Sequence, residues 1–316
     1  MLGSGSCGPK RHEFFRGGSF LVTLLLFTNL LGIVELASGM EWGGIATKTE
    51  GRPMRWDPPD VDRRLKQLVP AAPCVVSDVL KLAAARAKEM EENLANFTAD
   101  ETIQYEVIGH PGEPVVFQTG TFEYLAALKA APWGASVEET RTPAKGTHNF
   151  TGSGWDRGLP GLALVFLPTL QSDYDMRCEG KSAWNGMPAW VIHFEQRAGA
   201  KSGLWSYTDV YGAAHVARVK GRAWVSGDSG EVVHLETALM QPMPDAGVQN
   251  SWFSIDYGPV QFHSRNISVW LPQAVDSYTE LSDLDHHRMM IYHTFKNFIL
   301  FSVQVKQKIG KPQSPH

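Results

Sequence analysis

The stretch Ser251-Trp-Phe-Ser-Ile-Asp-Tyr-Gly-Pro-Val-Gln-Phe-His-Ser-Arg-Asn-Ile-Ser-Val-Trp-Leu-Pro272 decides the fold. It reads as two strands joined by a polar turn. Phe253, Ile255 and Tyr257 share one parity of the first strand while Trp252 takes the other, so large apolar side chains leave both faces of the sheet. An antiparallel sheet with one wet face alternates apolar with polar. This pair is therefore covered on both sides, or one of its faces lines a cavity.

Similar pairs flank it. Residues 178–184 and 189–195 surround Asn185-Gly186, the dipeptide best suited to a tight turn with positive φ. Residues 219–225 and 232–239 surround Ser226-Gly-Asp-Ser-Gly230, and 289–295 with 298–305 read as a further hairpin. Upstream, 97–108 and 115–125 pair across His110-Pro111-Gly112. The signal weakens from Ala126 to Gly158, where one short strand and loops are expected, and 159–170 reads as a helix interrupted at Pro168. Successive hairpins build a sheet by neighbours, and a sheet of this many strands coils.

One helix is plain. Val76, Val79, Leu80, Ala83, Ala87, Met90, Leu94 and Phe97 recur at spacings of three and four, while Lys81, Lys88, Glu91 and Glu92 take the other side. Ser77 can cap it and Asp78 complements its dipole. The fold class is α+β: a curved antiparallel sheet, a half-open β-barrel, with this N-terminal amphipathic helix and one or two short helices on its concave face.

The 316 residues are 43% hydrophobic and 20% charged, a globular composition with material for a core. A net charge of -4 removes a general electrostatic case for nucleic acid. Ten tryptophans and fifteen phenylalanines suit wide apolar walls.

The N-terminus reads as a secretory address. Lys10, Arg11 and Arg16 precede an apolar run from Phe20 to Val34, and Ala37-Ser38-Gly39 offers a small-residue cleavage site. The run is about fifteen residues, short of the roughly twenty that cross a bilayer. The expected division is a signal peptide at 1–39, a Pro/Gly-rich arm at 40–73, mobile or loosely draped, one β domain at 74–309 and a tail at 310–316. Periplasm or secretion follows as the expected location, with a monomer as the expected state.

Cys7 lies in the signal, leaving Cys74 and Cys178. In an oxidising compartment they can pair, closing a loop of roughly 100 residues worth about 4.7 kcal/mol, or they are two unrelated buried thiols.

Catalytic patterns are sparse. No GxSxG or HExxH occurs, and Gly152-Ser153-Gly154 lacks the strand-to-helix setting of a nucleophile elbow. Asp283-Leu-Asp285-His286-His287 with His293 is the best metal candidate, but acids and histidines also suit a polar turn. His193 and His234 sit mid-strand among apolar neighbours and read as hydrogen-bonded wall residues. Asp173 with Asp175, and Glu138 with Glu139, are paired acids of unspecified spacing in space. Asn96, Asn149 and Asn266 open glycosylation acceptor triplets, relevant only to a eukaryotic source.

A secretory signal, a helix leading into Phe97-Thr-Ala-Asp-Glu-Thr-Ile103, and the segments Gly186-Met-Pro-Ala-Trp-Val-Ile-His-Phe194 and Gly221-Arg-Ala-Trp-Val-Ser-Gly-Asp-Ser-Gly-Glu-Val-Val-His-Leu-Glu236 resemble the outer-membrane lipoprotein carrier and receptor superfamily. The endings Ile291-Tyr-His-Thr-Phe-Lys-Asn-Phe298 and Leu300-Phe-Ser-Val-Gln-Val-Lys-Gln-Lys-Ile309 are similar to a set of secreted soil-bacterial proteins. The resemblance implies a half-open barrel with a helical lid that holds acyl chains of a lipoprotein or another hydrophobic ligand, with no catalytic residues and no cofactor. The long proline-rich arm and the lack of a lipid-attachment cysteine after the apolar run depart from that pattern.

The expected function is thus non-enzymatic binding of a hydrophobic ligand, its lining Leu80, Met90, Leu94, Phe253, Ile255, Tyr257, Val269 and Leu271. The same residues also suit a plain core. The rival readings are an envelope interaction or scaffold protein using a sheet edge or exposed tryptophans on a protein partner, and a metal-dependent hydrolase built on the Asp283 to His293 cluster.

Overall fold

The computed structural model describes residues 58–301, apart from 67, 70–72, 94–95, 110–113, 132–133, 148–158, 201–203, 209–210, 212–213, 264–265 and 283–286. Two units divide the chain, Met1–Gly43 and Gly44–His316, and all the described residues belong to the second. The signal at 1–39 and the tail at 310–316 lie outside them.

Twelve strands and two α-helices occur among the described residues. Helix α1 (Val76–Asn93) is followed by β1 (Asn96–Ile108), β2 (Pro114–Ala131) and β3 (Gly134–Pro143). A 3-10 helix (Leu159–Phe166) and one turn of α-helix, α2 (Pro168–Gln171), lead into β4 (Tyr174–Trp184) and β5 (Met187–Gln196). Then come β6 (Ser206–Thr208), β7 (Ala214–Val216), β8 (Val219–Ser226), β9 (Val232–Leu239), β10 (Val248–Phe262), β11 (Ile267–Leu281) and β12 (Arg288–Leu300). Ten strands form one antiparallel sheet in the order β3-β2-β1-β12-β11-β10-β9-β8-β5-β4, and β6 pairs only with β7. The edges β3 and β4 do not meet, so the sheet is a curved, unclosed half-barrel.

The parity of the opening stretch is resolved by this curvature. Phe253, Ile255 and Tyr257 of β10 face the hollow and share one core cluster with Val79, Ala83, Ala87 and Met90 of α1 and Leu162, Leu164 and Phe166 of the 3-10 helix. Trp252 points the other way and meets the Tyr278 ring edge-on at 5.3 Å. The outer face carries its own apolar cluster, Ala189, Val191, Trp224 and Val233, overlaid by Leu65 and Leu68 of the arm. The described part of the arm is held there: Val61 is buried, Arg222 donates to the Arg63 carbonyl at 2.8 Å, and Val69 donates to the Lys181 carbonyl at 2.8 Å. That last bond occupies part of the outward edge of β4, which would otherwise invite strand addition.

Local chemistry explains the element ends. Asn185 (φ 47°) and Gly186 (φ 81°) are both left-handed, as a two-residue turn between β4 and β5 demands. The Pro168 break falls as expected, between the 3-10 helix and α2. Cys74 and Cys178 are joined by a disulfide across a separation of 104 residues, tying the entrance of α1 to β4.

Two expectations need correction. The hairpin expected from 289–295 and 298–305 is absent from the described residues, because β12 runs unbroken from Arg288 to Leu300. Asn297 does take a positive φ of 54°, but as an irregularity opposite the register shift at Thr98/Asp100, with its Nδ2 donating to Asp100 at 2.7 Å. The helix also ends at Asn93, and Phe97 belongs to β1, its ring between Tyr124 and Phe298. No helix among the described residues is long and apolar enough to cross a membrane.

Candidate functional site: a cleft between helix and hairpin

The hollow of the sheet is filled rather than empty. Residues 161–167 are all buried in it, and the Gln171 amide ties this plug together by donating to the carbonyls of Phe166 (2.8 Å) and Leu80 (3.5 Å). Among the described residues a cleft opens between α1 and the β10–β11 pair. It encloses about 30 Å³ of free space, room for one or two waters.

Three of the expected lining residues meet in this cleft: Met90 from α1, Tyr257 from β10 and Val269 from β11, with Val232 and Trp270 beside them. Phe253, Ile255 and Leu271 lie deeper, fully buried in the core cluster, and Leu80 packs half-buried against it. Leu94 lies outside the described residues. Tyr257 is 5% exposed, and its hydroxyl is buried against the backbone of Ala163. Burial raises its pKa well above that of a free phenol.

A charged rim borders the apolar walls. Arg86 of α1 donates through Nε to the Ser229 carbonyl at 2.9 Å and through a terminal nitrogen to Glu89 at 2.5 Å, while Glu231 stands 3.4 Å from the same Nε. Burial pushes the Glu231 carboxyl up to about 7; Arg86 opposes that shift and Glu89 adds to it. Beneath these charges Gly230 is held at φ +77°, and a Cβ there would stand 2.7 Å from the Leu82 backbone. The β8–β9 turn therefore lies flush on the helix, which only glycine allows. Arg86 and Glu231 escaped the sequence reading because one is a polar helix residue and the other follows a turn more than 140 residues away.

A second polar group is set into the hollow face itself. Glu101 of β1, wholly buried, takes two bonds from Arg141 of β3 (2.7 and 3.1 Å) and one contact with His293 Nδ1 of β12 (2.7 Å). Tyr124 donates to Glu139 at 2.5 Å, and Arg141 lies 3.8 Å from that same carboxylate. Burial alone would raise the Glu101 pKa, but His293 and Arg141 outweigh it and hold it below the usual range. This belt separates the main core from a smaller cluster of Ile103, Tyr105, Phe122, Met289 and Ile291. Its members sit 40 and 192 residues from Glu101 in sequence, so no spacing could reveal them.

His234 and His193 are walled in. His234 stacks on Trp184 at 3.4 Å, and both its Nδ1 and the Trp184 indole N–H meet one Asp256 oxygen at 2.7 Å. Burial would lower the His234 pKa, yet Asp256 and Glu236 together raise it. His193 is buried 3.5 Å from Asp62, and desolvation, aided by Arg177, lowers its pKa. Of the metal candidate, Asp283 to His286 lie outside the described residues, and His293 is committed to Glu101. Among the described residues no three His, Cys, Asp or Glu side chains are grouped to hold a metal.

No protein-family model and no curated protein sequence matches the chain. Solved structures do resemble it. A DUF1329 family protein from Desulfovibrio piger matches at 10% identity over 74% of this chain and 95% of its own, with a TM-score of 0.38. A domain described as an outer membrane lipoprotein-sorting protein, from Vibrio parahaemolyticus, gives 9%, 74%, 95% and 0.39. A LolA superfamily protein from Nitrosomonas europaea gives 8%, 74%, 97% and 0.32. At these identities and scores the likeness is one of general architecture.

Proposed function

We propose that the chain is a non-enzymatic binding protein of the periplasm or the secreted medium. It holds an apolar ligand, an acyl chain or a lipoprotein-like group, between the curved sheet and the helical filling of its hollow. The observation that supports this reading is that no ladder hydrogen bond of the sheet joins wall to filling, which meet through side-chain packing, the Cys74–Cys178 bridge and the Arg86–Ser229 contact. The sheet completes its ladders strand to strand, so α1 and residues 159–171 can shift without breaking a sheet hydrogen bond. The helix is also lightly anchored by its own apolar stripe: of its four buried inward residues, Val79, Ala83, Ala87 and Met90, two are alanines with little area to bury. An acyl chain entering at Met90, Tyr257 and Val269 gains about 0.8 kcal/mol for each methylene it buries, enough over several carbons to displace such contacts.

Titration of the purified chain with N-phenyl-1-naphthylamine tests the reading. A saturable rise in fluorescence, reversed by a long-chain lipid, is expected. A signal that never saturates, or that no lipid reverses, overturns it.

A further inference from the structure

We propose that the Cys74–Cys178 bridge is a redox-sensitive tie that sets how far the hollow opens, and that a small dithiol reductant releases it; this rests on the binding reading above, which makes the cleft beside α1 the ligand's way in. The course of α1 carries the inference. The helix meets the strands in the order of the sheet. Cys74, just before its first turn, is joined to β4, and Leu82 and Arg86 lie on the β8–β9 turn at Gly230 and Ser229. Met90 then shares the cleft with Tyr257 of β10 and Val269 of β11, and the chain enters β1. Between β1 and β4 the sheet makes seven strand steps, about 34 Å along its surface. The 18-residue helix measures about 27 Å, shorter than the arc beneath it. It is a chord across the curve, held at one end by the polypeptide itself and at the other by the bridge.

Cutting the bridge does not free that end completely. Val69, upstream of Cys74, donates to the Lys181 carbonyl on the same strand β4, and Asp62 pairs with Lys220 of β8. With the bridge closed the Cys74 and Cys178 Cα atoms stand 6.2 Å apart. Once it is open, the chain from Val69 to Cys74 allows a reach of up to about 17 Å. The arm is therefore a stop that limits the swing, and the reduced chain has a wider mouth on an intact sheet. Both cysteines are half-buried, which leaves the bridge within reach of a small thiol. One thiolate of the dithiol attacks a sulfur of the bridge and displaces the other cysteine. The second thiol of the reagent then displaces the first cysteine and closes a cyclic disulfide, so that two electrons and two protons pass from the dithiol to the two cysteines.

The test uses the full chain in three forms: oxidised, reduced with dithiothreitol and alkylated, and the double variant Cys74→Ser with Cys178→Ser. Tryptic cleavage at the exposed Lys81, Arg86 and Lys88, with hydrogen–deuterium exchange, reads the helix. The β10–β11 amides read the sheet, and N-phenyl-1-naphthylamine reads access. Opening the bridge by either route should speed cleavage and exchange in α1 at least tenfold beyond any acceleration in β10–β11, and raise the association rate of the dye by a similar factor. Val69→Pro, which removes the donor of the stop, should leave the helix protected while the bridge is closed. Equal acceleration of α1 and β10–β11, the mark of a general staple, overturns the proposal. So does a helix that stays protected in either open form, that Val69→Pro releases with the bridge closed, or whose release leaves the dye's rate unchanged. Dye that binds no form, with the helix released as expected, would instead sink the binding reading and leave the tie standing.

Discussion

Replacing Arg141 by methionine probes the belt that crosses the hollow face. The change keeps an apolar stem but removes both donors, at 2.7 and 3.1 Å, from a Glu101 carboxylate that has no exposure to water. The His293 contact at 2.7 Å would remain on that carboxylate. Removing one partner of a buried pair costs about 3–5 kcal/mol, because the other charge stays desolvated. Against a total stability of about 5–15 kcal/mol this is a large fraction, and it corresponds to a fall in melting temperature on the order of 10 °C. Urea denaturation at pH 7 would measure it. Glu101→Gln combined with Arg141→Met should recover much of the loss, since the uncompensated charge disappears. The pH dependence has a definite sign. Glu101 is depressed in the fold, so its contribution is present above the unfolded value of 4.5 and fades as pH falls through the folded pKa. The gap between wild type and Arg141→Met should therefore narrow in acid. A loss under about 1 kcal/mol at pH 7, or a double variant as unstable as the single, would refute the reasoning.

Other perturbations test the surroundings of the cleft. Gly230→Ala forces a Cβ to within 2.7 Å of the Leu82 backbone at a left-handed φ, and should cost on the order of 1–3 kcal/mol in urea denaturation. Glu231 carries the opposite linkage to Glu101: its folded pKa of about 7 lies above the unfolded 4.5, so ionising it subtracts stability as pH rises across that window. Glu231→Gln should accordingly be more stable than wild type at pH 8 and lose that advantage at pH 4.5, as thermal melts at the two values would show. Cys74→Ser with Cys178→Ser opens a loop of 104 residues and should cost up to about 4.7 kcal/mol, read from denaturation of the oxidised chain and the double variant.

The wall of the hollow was legible because it repeats one local rule. Alternation in β10, the Asn185-Gly186 turn and the stripe of Val79, Ala83, Ala87 and Met90 all report burial through spacing alone. The same rule misled at β12, where Asn297 marks a turn in sequence but supplies only a positive φ inside a continuous strand. Expected cleft residues divided by depth, a property periodicity cannot express: Met90 and Val269 reach the opening, while Phe253 and Leu271 share their parity yet close the core. The polar features were hidden for a different reason. Arg141 lies in the stretch with the weakest pattern, Glu231 beyond a turn, and their partners arrive from distant strands or from α1. Strand order, which places β12 beside β1, is what assembles the Glu101 and His293 contact.

Hydrogen–deuterium exchange of the full chain, with and without a saturating long-chain lipid, tests the movement of filling against wall most directly. Amides of α1 and of residues 159–171 should open more readily than those of the β10–β11 pair in the free chain, and the ligand should slow them selectively. Exchange from α1 as slow as from β10, and unchanged by a ligand that is demonstrably bound, would contradict a filling that moves to admit its guest.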